Sequence, residues 1–172
     1  MKKIISLTIV FMLLLTTPVM ASELTWEEAP GHHNLSNLLS SSVITSSDVV
    51  ERNARGEILS MGMVEITNEQ NGEIFVRIGT YAHRNVDRIH HAVFLDEWDD
   101  EEQDWSQVGY WEFDKTKDEE ENGELSELVT SFTLSGYTVN RYYRVRGLHM
   151  VELGDEMEGC ASETDGILIT NN

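Results

Sequence analysis

The side chains with the most chemical potential cluster between residues 97 and 112. Asp99, Asp100, Glu101, Glu102 and Asp104 place five carboxylates within six positions. Trp98, Trp105 and Trp111 flank them, with Tyr110 alongside. Hard cations such as calcium take six to eight oxygen ligands, and a turn this dense can offer several. Asp99, Asp100, Glu102 and Asp104 are therefore candidate calcium ligands, although the spacing is not that of an EF-hand loop, which needs a central Gly and a terminal Glu. The competing reading is a solvated turn that keeps the chain soluble and blocks edge-to-edge strand pairing. Flat apolar rings stack on sugars and peptides while polar neighbours bond hydroxyls or amides, so Trp98, Tyr110 and Trp111 are the candidate ligand-binding residues. Core packing is the alternative for each of the three tryptophans, since a buried aromatic removes about 150–250 Å² from water.

The remaining reactive groups are scattered. His32 and His33 are adjacent, as are His90 and His91. On a strand, adjacent side chains point to opposite faces and cannot chelate one ion together. Zinc needs three or four converging ligands, and no spacing here supplies them. His91 is expected to face the core with a hydrogen-bond partner, and His90 the surface. Cys160 is the single cysteine, so no internal disulfide can form. Its neighbours Asp155, Glu156, Glu158 and Glu163 disfavour a thiolate, so it reads as a small, partly buried hydrophobe. A nucleophile elbow, a phosphate-binding glycine loop and a metalloprotease helix are all missing. Thirty-one acidic residues allow many accidental carboxylate pairs, so no one pair marks a glycosidase.

These residues must be positioned by strands. From Met61 the apolar pattern has period two, which assigns alternate residues to opposite sheet faces. The expected strands are Met61–Thr67, Glu73–Tyr81, Val86–Trp98, Trp105–Asp114, Leu128–Leu134, Arg141–Val151 and Ile167–Thr170. Asn71-Gly72 and Ser135-Gly136 turn the chain. Lys115–Gly123 and Gly154–Asp165 read as loops. In Tyr142-Tyr143-Arg144-Val145-Arg146-Gly147, Tyr143 and Val145 share one face, and Arg144 and Arg146 the other. A Tyr opening this strand is similar to the tyrosine corner of sandwich folds, and the outward arginines should meet acids on a neighbouring strand. Such pairs on an exposed face contribute only about 0.2–1 kcal/mol each. The expected fold is an all-β, immunoglobulin- or fibronectin-III-like antiparallel sandwich of about seven strands over residues 61–170, ahead of a short tail at 171–172.

What precedes the sandwich reads differently. Residues 1–21 have the form of a secretory signal peptide: Lys2 and Lys3, an uncharged run from Ile4 to Leu15, and Val19-Met20-Ala21 before Ser22. That run is too short to span a bilayer. Residues 22–60, with Ser40-Ser41-Ser42 and Ser46-Ser47, read as a polar, partly disordered arm. Loss of the leader would leave 10 basic against 31 acidic side chains, a net charge of −21 in place of −19. Such a balance argues against nucleic acid or an anionic membrane as partner.

Several residues together carry a likeness: Val86-Asp87-Arg88-Ile89, Phe94-Leu95, Trp105, Tyr142 through His149, and Ser162-Glu163-Thr164-Asp165-Gly166-Ile167. In this order the chain resembles a family of small secreted proteins of unknown function from Gram-positive, clostridial-type gut bacteria. The likeness covers about Met61 to Thr170. It implies a single sandwich domain behind a signal peptide, and it brings no activity with it. The acidic stretches Asp99–Asp104 and Asp118–Glu121 depart from what the family leads one to expect.

The resulting expectation is a secreted, extracellular, non-catalytic module that binds carbohydrate, peptide or a host surface. It has no resident cofactor, calcium being the one possible exception. The alternatives are a secreted polymer hydrolase working through an acidic pair and a calcium-stabilised structural protein.

Overall fold

A computed structural model describes residues 36–52 and 58–172. The proposed signal peptide, the start of the polar arm, with the turn expected at Pro30-Gly31, and His32-His33 lie outside the described residues. Among the described residues nine strands follow in order: β1 Thr45–Glu51, β2 Leu59–Asn68, β3 Ile74–Ala82, β4 Arg88–Asp99, β5 Asp104–Thr116, β6 Glu127–Leu134, β7 Arg141–Leu153, β8 Glu156–Glu163 and β9 Ile167–Ile169. One sheet runs β1-β2-β3-β6 and the other β5-β4-β7-β8, with β9 beside the start of β7. Every pairing between these strands is antiparallel. The fold is an all-β antiparallel sandwich, as the sequence pattern leads one to expect, but with nine strands rather than seven.

The two unexpected strands explain themselves. β1 lies within the stretch read as a polar arm, and its inward residues are Ser46, Asp48 and Val50, so it carries no apolar alternation. It is held instead by seven paired positions against β2, from Thr45↔Thr67 to Glu51↔Met61. β8 lies in the stretch read as a loop. Glu158, Cys160 and Ser162 fall on its inner side, which inverts the usual apolar-in pattern. Polar contacts replace the missing hydrophobic ones. The Glu158 carboxylate accepts the backbone N–H groups of Ile58 and Leu59 at 2.8 and 2.9 Å, and the Glu163 N–H donates to Asp48 at 2.9 Å. These bonds close the β1 side of one sheet over the β8 edge of the other. On the opposite side, Trp111 and Phe113 of β5 pack on Phe132 of β6.

The turns follow the expected chemistry. Gly72 and Gly136 take φ of +84° and +87°, the left-handed region that costs glycine little. Tyr143, fully buried, donates its hydroxyl to the Thr138 carbonyl at 3.0 Å, the backward bond of a tyrosine corner. The same hydroxyl proton is shared with the Glu97 carboxylate at 2.9 Å, and burial, followed by that carboxylate, pushes its phenol pKa up.

Candidate functional site

Three places in the sandwich gather polar chemistry. The first is the β4–β5 turn singled out by its acids. Asp99 closes it, its carboxylate accepting the N–H groups of Glu101 and Glu102 at 2.8 and 3.1 Å. Those two bonds, Glu102 first, hold its pKa below the usual carboxylate range. Asp104 accepts the N–H of Trp105, and the Gln103 amide donates to the Asp100 carbonyl. Arg141 reaches in from the start of β7, 3.2 Å from Asp100 and 3.9 Å from Glu97. Together Glu97, Trp98, Asp99, Asp100, Glu101, Ser106, Val108 and Arg141 line an open cavity of about 600 Å³. Among the described residues, no three His, Cys, Asp or Glu side chains converge as a metal site would require. Asp99, Asp100 and Asp104 point into turn and ion-pair contacts rather than towards a common centre, and Glu102 enters the turn through its backbone.

The sequence-derived aromatic set does not assemble. Trp98 lines the cavity and packs edge-on against Trp105, with ring centroids 5.3 Å apart. Tyr110 stacks on Phe94 on the outer face of the five-stranded sheet and hydrogen-bonds Glu112. Trp111 sits on the opposite face of β5, against the main core and Phe132. Trp98 alone of the three remains at the cavity. Its indole nitrogen is buried without a hydrogen-bond partner.

The second place is an ion network on the outer face of the five-stranded sheet. Asp96 takes a guanidinium bond from Arg144 at 2.9 Å and a bidentate pair from Arg146 at 2.7 and 2.9 Å. Arg144 also bonds Glu163 and Ser36, and lies 4.6 Å above the Trp105 ring. The arginines do meet an acid on the neighbouring strand, but Asp96 is 1% and Arg144 3% exposed. The small value expected for an exposed pair therefore does not apply. In this desolvated setting, removing one partner leaves an uncompensated charge. Sequence reasoning missed the burial because the cover comes from Trp105 and the 36–39 segment, whose Leu38 bridges Gly166. Gly166 is required there: a Cβ would fall 2.5 Å from the Trp105 ring.

The third place is inside the sandwich. His91 bonds Thr130 at 3.0 Å and Thr80 at 3.3 Å. His149 bonds the same Thr80 hydroxyl at 2.9 Å and Ser162 at 2.8 Å. The chain Thr130–His91–Thr80–His149–Ser162 thus crosses both sheets. It separates two apolar clusters, one around Ile78, Val93 and Val145 and the other around Ile89, Leu125 and Val151. Gly62 and Gly147 make room for the His149 ring: a Cβ at either would lie under 3.0 Å from it. Burial lowers the pKa of His91 to about 4 and of His149 to about 3, with a smaller contribution from repulsion by a second imidazole, His90 for His91 and His91 for His149. Both rings are neutral at pH 7, and a single direction of donation along the chain satisfies every member. Ser162 against His149 has the spacing of a nucleophile and base, but the two are 3% and 2% exposed, so a substrate has no route to them.

The sequence matches a family of unknown function, DUF6147, over residues 24–166. The chain belongs to that family. The DUF6147 match takes in β1 to β8, and with them the acidic turn, the ion network and every member of the buried histidine chain. A comparison with curated proteins found no match. Cys160, at the β8 edge of the second apolar cluster, has its thiol pKa pushed up chiefly by burial, which keeps it protonated and unreactive. Among the described residues, no helix is long and apolar enough to cross a membrane.

Proposed function

We propose that this DUF6147 protein is a secreted, non-catalytic binding domain that takes a basic peptide segment at the β4–β5 end of the sandwich. The observation that carries this reading is the 600 Å³ cavity, where Trp98 lies among the carboxylates of Glu97, Asp99, Asp100 and Glu101, with Arg141 the one cation lining it among the described residues. Lysine or arginine side chains suit such a place. They pair with carboxylates, and their flat or apolar parts rest on an indole. The net charge of −19 steers a cationic partner towards the domain and repels an anionic one. A rigid sandwich presenting a loop-lined recess at one end is a common arrangement for recognition. The non-catalytic reading is supported by the burial of the Ser162–His149 pair and by the engagement of Asp99, Asp104 and Asp100 in turn and ion-pair contacts.

The test is titration of a lysine- and arginine-rich peptide and of neutral oligosaccharides into the protein, at low and at high salt. The peptide should bind, weaken steeply with salt, and lose about tenfold in affinity or more in Trp98→Ala. Salt-insensitive binding of a neutral oligosaccharide that also needs Trp98 would replace the peptide with a glycan. Turnover of either ligand would overturn the non-catalytic reading.

A further inference from the structure

The outer face of the five-stranded sheet holds a second cavity, of about 290 Å³, whose lining shares no residue with the acidic cavity. It is lined by His90 of β4, Leu148 and Met150 of β7, and Met157, Gly159 and Ala161 of β8. Its origin is visible in the strand register. His90 pairs with Met150, Met150 with Gly159, and Leu148 with Ala161, so two small residues sit beside long apolar ones and leave a hollow. His90 is only 8% exposed, yet neither ring nitrogen has a hydrogen-bond partner. The nearest charged group is the Asp114 carboxylate, 3.9 Å from Nδ1, which is beyond hydrogen-bond reach and is itself bonded to Arg88. A buried polar ring left unpaired against an apolar hollow is the pattern of a site waiting for a polar group from outside.

We infer that this hollow is a binding site for a small neutral molecule with an apolar body and one hydroxyl donor, a phenol or an alcohol. The apolar body fits against Leu148, Met150 and Met157. The Asp114 charge, 3.9 Å from Nδ1, favours the tautomer with the proton on Nδ1; in that tautomer Nε2 is an acceptor, which asks for a donor from the ligand. A carboxylate ligand is disfavoured by Asp114 and by the net charge of −19. The site is independent of the acidic cavity.

The experiment measures binding of para-ethylphenol, ethylbenzene and para-ethylbenzoate to the protein by saturation-transfer and chemical-shift NMR. Para-ethylphenol should bind saturably and roughly tenfold more tightly than ethylbenzene, the value of one hydrogen bond. Para-ethylbenzoate should be weaker than both. His90→Phe should erase the difference between phenol and hydrocarbon. Ala161→Phe, which fills the hollow from the β8 side and leaves His90 in place, should abolish binding of both, and Trp98→Ala should change neither. Equal binding of para-ethylphenol and ethylbenzene, unchanged binding in Ala161→Phe, or no saturable binding of any probe would overturn the inference. Should His90→Phe fail to fold, the probe comparison and Ala161→Phe still decide.

Discussion

His149 shows how much of this protein's behaviour rests on single side chains. Its ring is fully satisfied by Thr80 and Ser162 only while neutral or suitably paired, and burial holds its pKa near 3, with His91 near 4. In the unfolded chain both return to about 6.5. The unfolded state therefore binds more protons than the native one below that value, and stability falls as pH drops from about 6.5 towards 4. Between pH 7 and pH 5 each histidine should remove on the order of 2 kcal/mol. Urea melts at the two pH values would show this loss in the wild type. The double variant His91→Gln, His149→Gln should show a much flatter dependence, even if it is less stable at pH 7. Equal pH dependence in both would mean that carboxylates dominate acid destabilisation. A core-facing His91 was legible from its place between Ile89 and Val93. Its partners were not, because Thr80, Thr130 and His149 are far apart in sequence and only the facing of the sheets unites them. Gly62 and Gly147 were the available signal: glycines inside apolar-alternating strands mark a close approach by something bulky.

At the scale of elements, seven strands were legible because apolar residues alternate along them, with ends within a few residues of those observed. β1 and β8 were illegible for one shared reason. Each sits at a sheet edge and turns polar or small residues inward, so its stability comes from backbone pairing and from the Asp48 and Glu158 carboxylates rather than from buried apolar area. The acidic cavity was half legible. The structure places Trp98 in the cavity beside the turn, whereas Tyr110 and Trp111 fall on opposite faces of β5, as consecutive strand residues must. The Asp96 network ties β4 to β7 in the same spirit. Asp96→Ala would leave Arg146 without its carboxylate and Arg144 with Glu163 alone, beneath a sheet face covered by Phe94 and Trp105, and should cost about 3–5 kcal/mol, read as a loss of denaturation midpoint. A cost below 1 kcal/mol would show that water reaches the network and that the exposed-pair value applies after all.

For the whole molecule, the excess of acidic charge is the dominant property. Any added salt should raise the melting temperature by screening that repulsion. Because Asp99, Asp100 and Asp104 are engaged locally, calcium should add nothing beyond sodium at equal ionic strength. A calcium-specific rise would mean that these contacts give way to coordination and that the cation is part of the native state. The central claim is that ligand recognition takes place at the β4–β5 end. The most direct measurement is a map of backbone and indole NMR shifts as a lysine- and arginine-rich peptide is titrated into the protein. The account predicts shifts centred on Trp98, Asp99–Glu101, Ser106 and Arg141, with the inner histidine chain and the β8 face unmoved. Saturable binding with shifts centred elsewhere would contradict it, as would a spectrum that does not respond to the peptide at any concentration.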